Sequence, residues 1–308
     1  MAASESISIN SNACAELTFD FYPLRFRFVA DRPIHFAAGE SANLLRGKFG
    51  KALLRQSPEA YRRLFAPSAS SGPSGLHDPP RPFVLRAAHL DGVRVQTGEA
   101  FEIGINLFEM DQAMIDPVAS AIRGAVHAPF VALKGAQPVR LSLAAASRPI
   151  RKVRVQFVTP TELKGVGQDA ILRRVANPPS HADMPALREW QSRAGWQPAP
   201  RFPVLFSRIR DRVSTLRSLY GAGPLPIEFK AMAERAESVQ MMRCDLDHIE
   251  AERVSRRTGQ RHSLGGFIGV AEYEGDLAEF VTYLEAARWT GVGRQTVWGK
   301  GEIAWEEI

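Results

Sequence analysis

Cysteine is nearly absent: the 308 residues hold two, Cys14 and Cys244, far apart in the chain. They form no C-x-x-C pair, which excludes a disulfide framework and the common structural zinc sites. Free thiols fit a reducing, cytoplasmic compartment. No apolar run approaches the roughly 18 residues of a membrane span, so no membrane partner is expected. The first residues, Met1 to Asn12, carry no basic stretch and no apolar core of a secretory signal. The hydrolase signatures G-x-S-x-G and H-E-x-x-H are missing as well.

What is present is globular: 45% hydrophobic and 23% charged residues, in a length that suits two domains. The formal net charge is +6, and it is unevenly placed. Residues 1–147 have 15 basic against 13 acidic side chains, residues 148–220 have 14 against 5, and residues 228–308 have 10 against 15. A central basic block of this kind suits a polyanion. It equally suits a solvated face in an arginine-rich chain, since 32 of the 39 basic residues are Arg.

Leu17, Phe19 and Phe21 alternate with polar residues, and Leu24, Phe26 and Phe28 do so in the opposite phase. With Pro23 between them, this predicts an interrupted edge strand or two short strands. Ser41 to Arg55 has Leu45, Phe49, Ala52 and Leu53 at helical spacing, beside a basic stripe of Lys48, Lys51 and Arg55. A Pro/Ser/Gly-rich loop follows at 67–82, then strands at 82–85 and 101–107, a helix at 111–126 and a last strand near 138–143. The order restarts with a strand at Val153–Phe157. A proline-rich stretch at 177–203 precedes a helix at 204–220, strands at 239–246 and 267–273, a helix at 276–289 and a strand at 303–305. Two β-α-β-β-α-β units in tandem predict an α+β fold of two ferredoxin-like (RRM-like) domains, residues 1–147 and 148–308. Each is expected to be a four-stranded antiparallel sheet with helices on one face.

The C-terminal segment carries the most specific motif. Leu264-Gly265-Gly266-Phe267-Ile268-Gly269 and Tyr273 to Leu277 lead to Gly291-Val292-Gly293-Arg294-Gln295-Thr296-Val297-Trp298-Gly299-Lys300-Gly301. Alone, the glycines are ambiguous. They open no helix, as a dinucleotide fingerprint requires, and they lack the Ser/Thr of a P-loop. They suit a tight turn, or a backbone whose N–H groups face phosphate. Together with Val155 to Leu163 and Pro203 to Gly221, the segment resembles the CRISPR repeat-processing endoribonucleases, the Cas-six family of the RAMP superfamily. Leu44 to Gly50 and Gly104 to Phe108 are weaker matches.

The resemblance implies cleavage of precursor CRISPR RNA within its repeat, without a metal or cofactor. The 2′-hydroxyl attacks the adjacent phosphate and leaves 2′,3′-cyclic phosphate and 5′-hydroxyl ends. Such chemistry needs a base, an acid and a cation for the developing charge. The family commonly places a catalytic His at or before its first helix, which among seven histidines points to His35. A loop histidine without a task is the plainer alternative. Lys48 and Lys51 are candidates for charge stabilisation, or else a solvated helix face. Tyr22 is a further candidate, or a packed strand residue.

His262 is the rival histidine, in a basic stretch with Arg256, Arg257 and Arg261 that resembles the family's hairpin. Arg46, Arg55, Lys152, Arg154, Gly291, Gly293, Arg294, Gln295, Gly299 and Lys300 complete the expected RNA contacts. A repeat stem-loop would be read by shape and phosphates. His77 and His181 lie in proline-rich loops. Asp245, Asp247 and His248 lack a fourth ligand and read as a strand end rather than a metal site. The partner expected is CRISPR repeat or guide RNA, with other effector subunits next and DNA not predicted. A non-catalytic guide-RNA-binding subunit is the main alternative. A small-molecule enzyme on the same scaffold would rest on fold analogy alone.

Overall fold

A computed structural model describes residues 17–67, 79–163, 200–249, 252–254, 261–263 and 265–308. The first half is built on β1, Thr18–Val29. Its sheet runs β3 (Phe83–Arg86), β5 (Ala100–Leu107), β1, β6 (Phe130–Lys134), and β7 (Val139–Ser142) also pairs with β1. A short ribbon joins β2 (Ile34–His35) to β4 (Arg94–Val95).

β1 is one continuous, central strand, neither interrupted nor at an edge. The opposite phases of its apolar residues are the two faces of the strand. Tyr22, Leu24, Phe26 and Phe28 pack into the first half's own core. Phe19 and Phe21 face the other way and pack into the core of the second half. β7 pairs with Thr18–Phe21 and β6 with Arg25–Phe28, so Pro23 falls in the gap between these two partners. On that side a missing N–H costs no ladder bond.

Three helices cover the first core: α1 (Ser41–Gln56), α2 (Pro58–Phe65) and α3 (Ile115–Ala125). α1 buries Leu45, Phe49, Ala52 and Leu53, as its spacing predicts. α2 starts on Ser57, whose Oγ accepts from the Ala60 N–H at 3.3 Å, with Pro58 in its first turn.

The second sheet runs β13 (Ile303–Glu307), β8 (Lys152–Thr161), β12 (Gly266–Glu274), β9 (Gln240–Ile249), all antiparallel. Helices α4 (Phe202–Tyr220), α5 (Phe229–Ala236) and α6 (Val281–Thr290) accompany it. β10 (Glu252–Val254) and β11 (Arg261–Ser263) form a separate hairpin ladder between β9 and β12. Each sheet thus places its first strand beside its third and fourth, the ferredoxin-like order repeated. The first sheet has a fifth strand beyond the expected four, because β6 and β7 share one side of β1.

The two halves share buried contacts. The ring centroids of Phe21 and Trp289 lie 4.8 Å apart. The Arg217 Nε donates to the Thr18 carbonyl at 2.8 Å, and the Met110 N–H to the Tyr220 carbonyl at 3.1 Å. The Tyr220 hydroxyl donates to the Pro80 carbonyl at 2.8 Å.

Candidate functional site

Helix α6 ends against the first half, and three of its last carbonyls are capped from outside the helix. Arg86 Nη2 donates to the carbonyls of Arg288 and Trp289 at 2.5 and 3.1 Å. Asn106 Nδ2 donates to the Trp289 carbonyl at 2.8 Å, and Arg212 Nε to that of Thr290 at 2.9 Å. Cations suit a helix C-terminus, where the last carbonyls lack partners and the dipole is negative. Burial lowers the Arg86 pKa, against the pull of Glu302, which pairs with it at 3.1 Å. Burial, with Arg86 nearby, lowers Arg212 to about 10.

Beside this contact lies a cleft of about 500 Å³ between the halves, lined among others by Arg25, Arg86, His89, Glu102, Asn106 and Trp289. Arg25 donates to the Asn106 Oδ1 at 3.1 Å. Burial first, and the charge of Arg86 second, lower its pKa. Gly104 makes the room: a Cβ there would lie 2.8 Å from the Arg86 Cβ and 3.0 Å from the Arg25 Nη1. The cleft continues past His89 to Asp91, Thr159 and Pro160. Asp91 reaches the start of α1, where its Oδ1 accepts from the Ser41 N–H at 3.0 Å.

The glycine-rich loop arrives at the same helix start from the second half. Val292, near its beginning, packs in the second core, and Val297 packs in the first. Gly299 has φ +77, and a Cβ on it would lie 2.4 Å from the Ala42 Cβ of α1. Only a glycine allows both that backbone and that approach. The Arg46 guanidinium lies between the rings of Phe65 and Trp298, at 5.3 and 5.0 Å. Several loop N–H groups are spent inside the fold: Val292 to the Gly301 carbonyl, Arg294 to Glu162, Gly301 to Pro160. Arg294 also pairs with the Glu162 carboxylate at 2.8 Å. Lys300 is buried, and its Nζ donates to the Gly265 carbonyl at 3.1 Å. Burial brings this amine down to about 8, with Glu162 opposing. The loop therefore joins the two halves through its close-approach glycines and its two valines.

His35 lies in β2 opposite Arg94 and is exposed. Its neighbour Phe36 is buried against Phe101, 5.7 Å between ring centres, and the Phe36 N–H bonds the Val93 carbonyl. Alternation along an extended chain then turns His35 outward. Lys48, Lys51 and Arg55 form the exposed face of α1. Tyr22 is buried in the first core, 4% exposed. Lys152 and Arg154 lie elsewhere, on the second sheet. Arg154 bonds Glu272 at 2.9 Å and Glu306 at 2.7 Å, and Lys152 lies 3.7 Å from Glu272. Those two are cross-strand braces, while the loop meets α1 at Ala42 and Arg46.

Arg256 and Arg257 lie outside the described residues, as do Cys14, His77 and His181, and of Arg261 and His262 only the backbone in β11 is described. Among the described residues no group of three His, Cys, Asp or Glu side chains could hold a metal ion, and no helix is long and apolar enough to cross a membrane. Asp245, Asp247 and His248 lie within β9, paired with β12, rather than at a strand end, and Asp245 is held by Arg243. His89 is a functional candidate that sequence reasoning passed over. Its flanking residues, Ala88 and Leu90, are unremarkable, and only the fold brings it to the cleft.

Residues 155–303 match the family model described as CRISPR-associated endoribonuclease Cas6. The chain belongs to the Cas6 family. Residues 19–151 match a second model, described as an N-terminal domain. Among solved structures, Thermus thermophilus Cas6 is similar with a TM-score of 0.53 at 17% identity, covering 94% of this chain and 99% of that one. A Cas6 product complex is similar at 0.51 and 16% identity, with coverage of 94% and 99%. A partial Cas6-RT-Cas1–Cas2 complex is similar at 0.54 and 12% identity, covering 95% of this chain and 47% of that one. At these identities the structural likeness is one of fold. No curated protein matches the sequence.

Proposed function

We propose that this Cas6-family chain is a metal-independent endoribonuclease that cuts CRISPR precursor RNA within its repeat. It works as two ferredoxin-like domains, residues 1–147 and 148–308, in the prokaryotic cytoplasm. His35 exchanges a proton with the reacting groups, and Lys48 and Lys51 stabilise phosphate charge. The 2′-hydroxyl attacks the neighbouring phosphorus, the bond to the 5′-oxygen breaks, and the ends are a 2′,3′-cyclic phosphate and a 5′-hydroxyl. RNA is held through its phosphates by the exposed cations, Arg55 among them.

The observation that carries this reading is the meeting at the start of α1. The family's glycine-rich loop touches Ala42 there, the cleft opens there through Asp91, and the ribbon bearing the exposed His35 adjoins it. One site thus draws on both halves of the chain. The test is a denaturing gel of the cognate repeat RNA in EDTA, with a second substrate carrying 2′-deoxyribose at the cut position. Cutting in EDTA that stops on the deoxy substrate supports the reading. One observation favours a non-catalytic RNA-binding subunit instead: no hydrogen bond to another described residue holds the His35 ring. Tight RNA binding with no cutting would establish that alternative.

A further inference from the structure

A transesterification needs two proton-transfer groups, one for the 2′-hydroxyl and one for the leaving 5′-oxygen. The proposed function supplies one histidine. Lys300 is buried in the loop and lines no part of the cleft. Tyr22 packs in the first core and lines no part of the cleft either.

His89 differs from both. It is exposed and lines the cleft on both sides of Arg86. Its Nε2 lies 3.0 Å from the Glu102 carbonyl oxygen. A carbonyl only accepts, so Nε2 carries the hydrogen and Nδ1 is the atom free to give or take a proton. The bond also fixes the ring, which His35 lacks. Around the cleft stand Arg25, Arg86 and Arg288 against Glu102 and Glu302, with Asp91 farther along. Arg86 is neutralised by Glu302 at 3.1 Å, whereas Arg25 lies 4.0 Å from Glu102. The three arginines and three carboxylates balance, and Arg25 is the cation held least closely by a carboxylate.

The chain path brings His89 close to the helix start. Two residues on, Asp91 bonds the Ser41 N–H, and Val93 bonds Phe36, the neighbour of His35. The segment that follows His89 thus contacts both the first residue of α1 and the strand that bears His35.

We propose that His89 is the second catalytic histidine, the general acid that protonates the leaving 5′-oxygen. This rests on the endoribonuclease reading above. In the step, the 2′-oxygen bonds phosphorus and loses its proton to His35. The bond from phosphorus to the 5′-oxygen breaks, and Nδ1 of protonated His89 gives that oxygen its proton. His35 ends protonated and His89 neutral, and exchange with water restores both.

The experiment is single-turnover cleavage of the repeat RNA by wild type, His89→Ala and His89→Gln. Each is also given a substrate whose 5′-oxygen is replaced by sulfur at the cut position. A thiolate leaves without an acid. Both variants should lose about 10²–10⁴-fold in rate on the oxygen substrate, keep their RNA affinity within about threefold, and recover wild-type rates on the sulfur substrate. His89→Gln keeps a donor for the Glu102 carbonyl, so a loss shared by both variants is chemical, not structural. Variants that cut the oxygen substrate like wild type, or a loss that sulfur does not repair, would overturn the assignment. Wild type that cuts neither substrate would instead overturn the endoribonuclease reading beneath it.

Discussion

Gly299 is where the glycine-rich loop meets α1, and replacing it should loosen the joint between the halves. In Gly299→Ala the new Cβ would stand 2.4 Å from the Ala42 Cβ, with φ held at +77. The left-handed backbone costs a non-glycine residue about 1–2 kcal/mol, and overpacking adds about 1–3 kcal/mol. The expected loss is about 2–5 kcal/mol in urea unfolding. The double variant Ala42→Gly/Gly299→Ala removes the clash and keeps the backbone strain, so it should recover part of the loss despite a third glycine in α1. Gly47 is the control: it lies in α1 with nothing within 4 Å of a built Cβ, so Gly47→Ala should stabilise by about 0.5–1 kcal/mol. A Gly299→Ala chain within about 0.5 kcal/mol of wild type, or no recovery in the double variant, would refute this account of the loop.

Other expectations follow from the same contacts. Arg86→Met strips the Arg288 carbonyl, leaves that of Trp289 to Asn106 alone and takes the partner from Glu302; chemical denaturation should show a loss of about 3–5 kcal/mol. Lys300 has its folded pKa lowered to about 8 from 10.5, so between these values the unfolded chain binds more protons and stability rises with pH. Unfolding of wild type measured against Lys300→Met should show a relative gain of about 1–3 kcal/mol from pH 8 to 10.5, and a flat difference would remove the burial argument. Lys48→Ala/Lys51→Ala should lower the slope of log affinity against log salt by about 1–2 in titrations of repeat RNA, and an unchanged slope would take both lysines off the RNA.

The strand and helix pattern was largely legible because burial in each half is one-sided. α1 shows it: Leu45, Phe49 and Leu53 face the core while Lys48 and Lys51 face water. The two faces of β1 are buried by different halves, which local alternation cannot distinguish from a break. β6 gives no strand signal because Phe130-Val131-Ala132-Leu133 shows no clean polar alternation. α2 and α5 have eight residues each, too short for periodicity to speak. At the site, chain order brought His35 near α1. The partners of Arg46, Arg154 and Lys300 are long-range, as is the position of His89 on the cleft, and no local pattern encodes them.

The central claim is metal-independent attack by the 2′-hydroxyl at a site that includes His35. Its most direct test is the mass of the 5′ product released from repeat RNA in EDTA, by wild type and by His35→Ala. Wild type should give a terminal 2′,3′-cyclic phosphate, one water lighter than the open phosphate, and His35→Ala should bind the RNA and release little of it. A product ending in a free 3′-hydroxyl, or cleavage that needs added divalent metal, would contradict the claim.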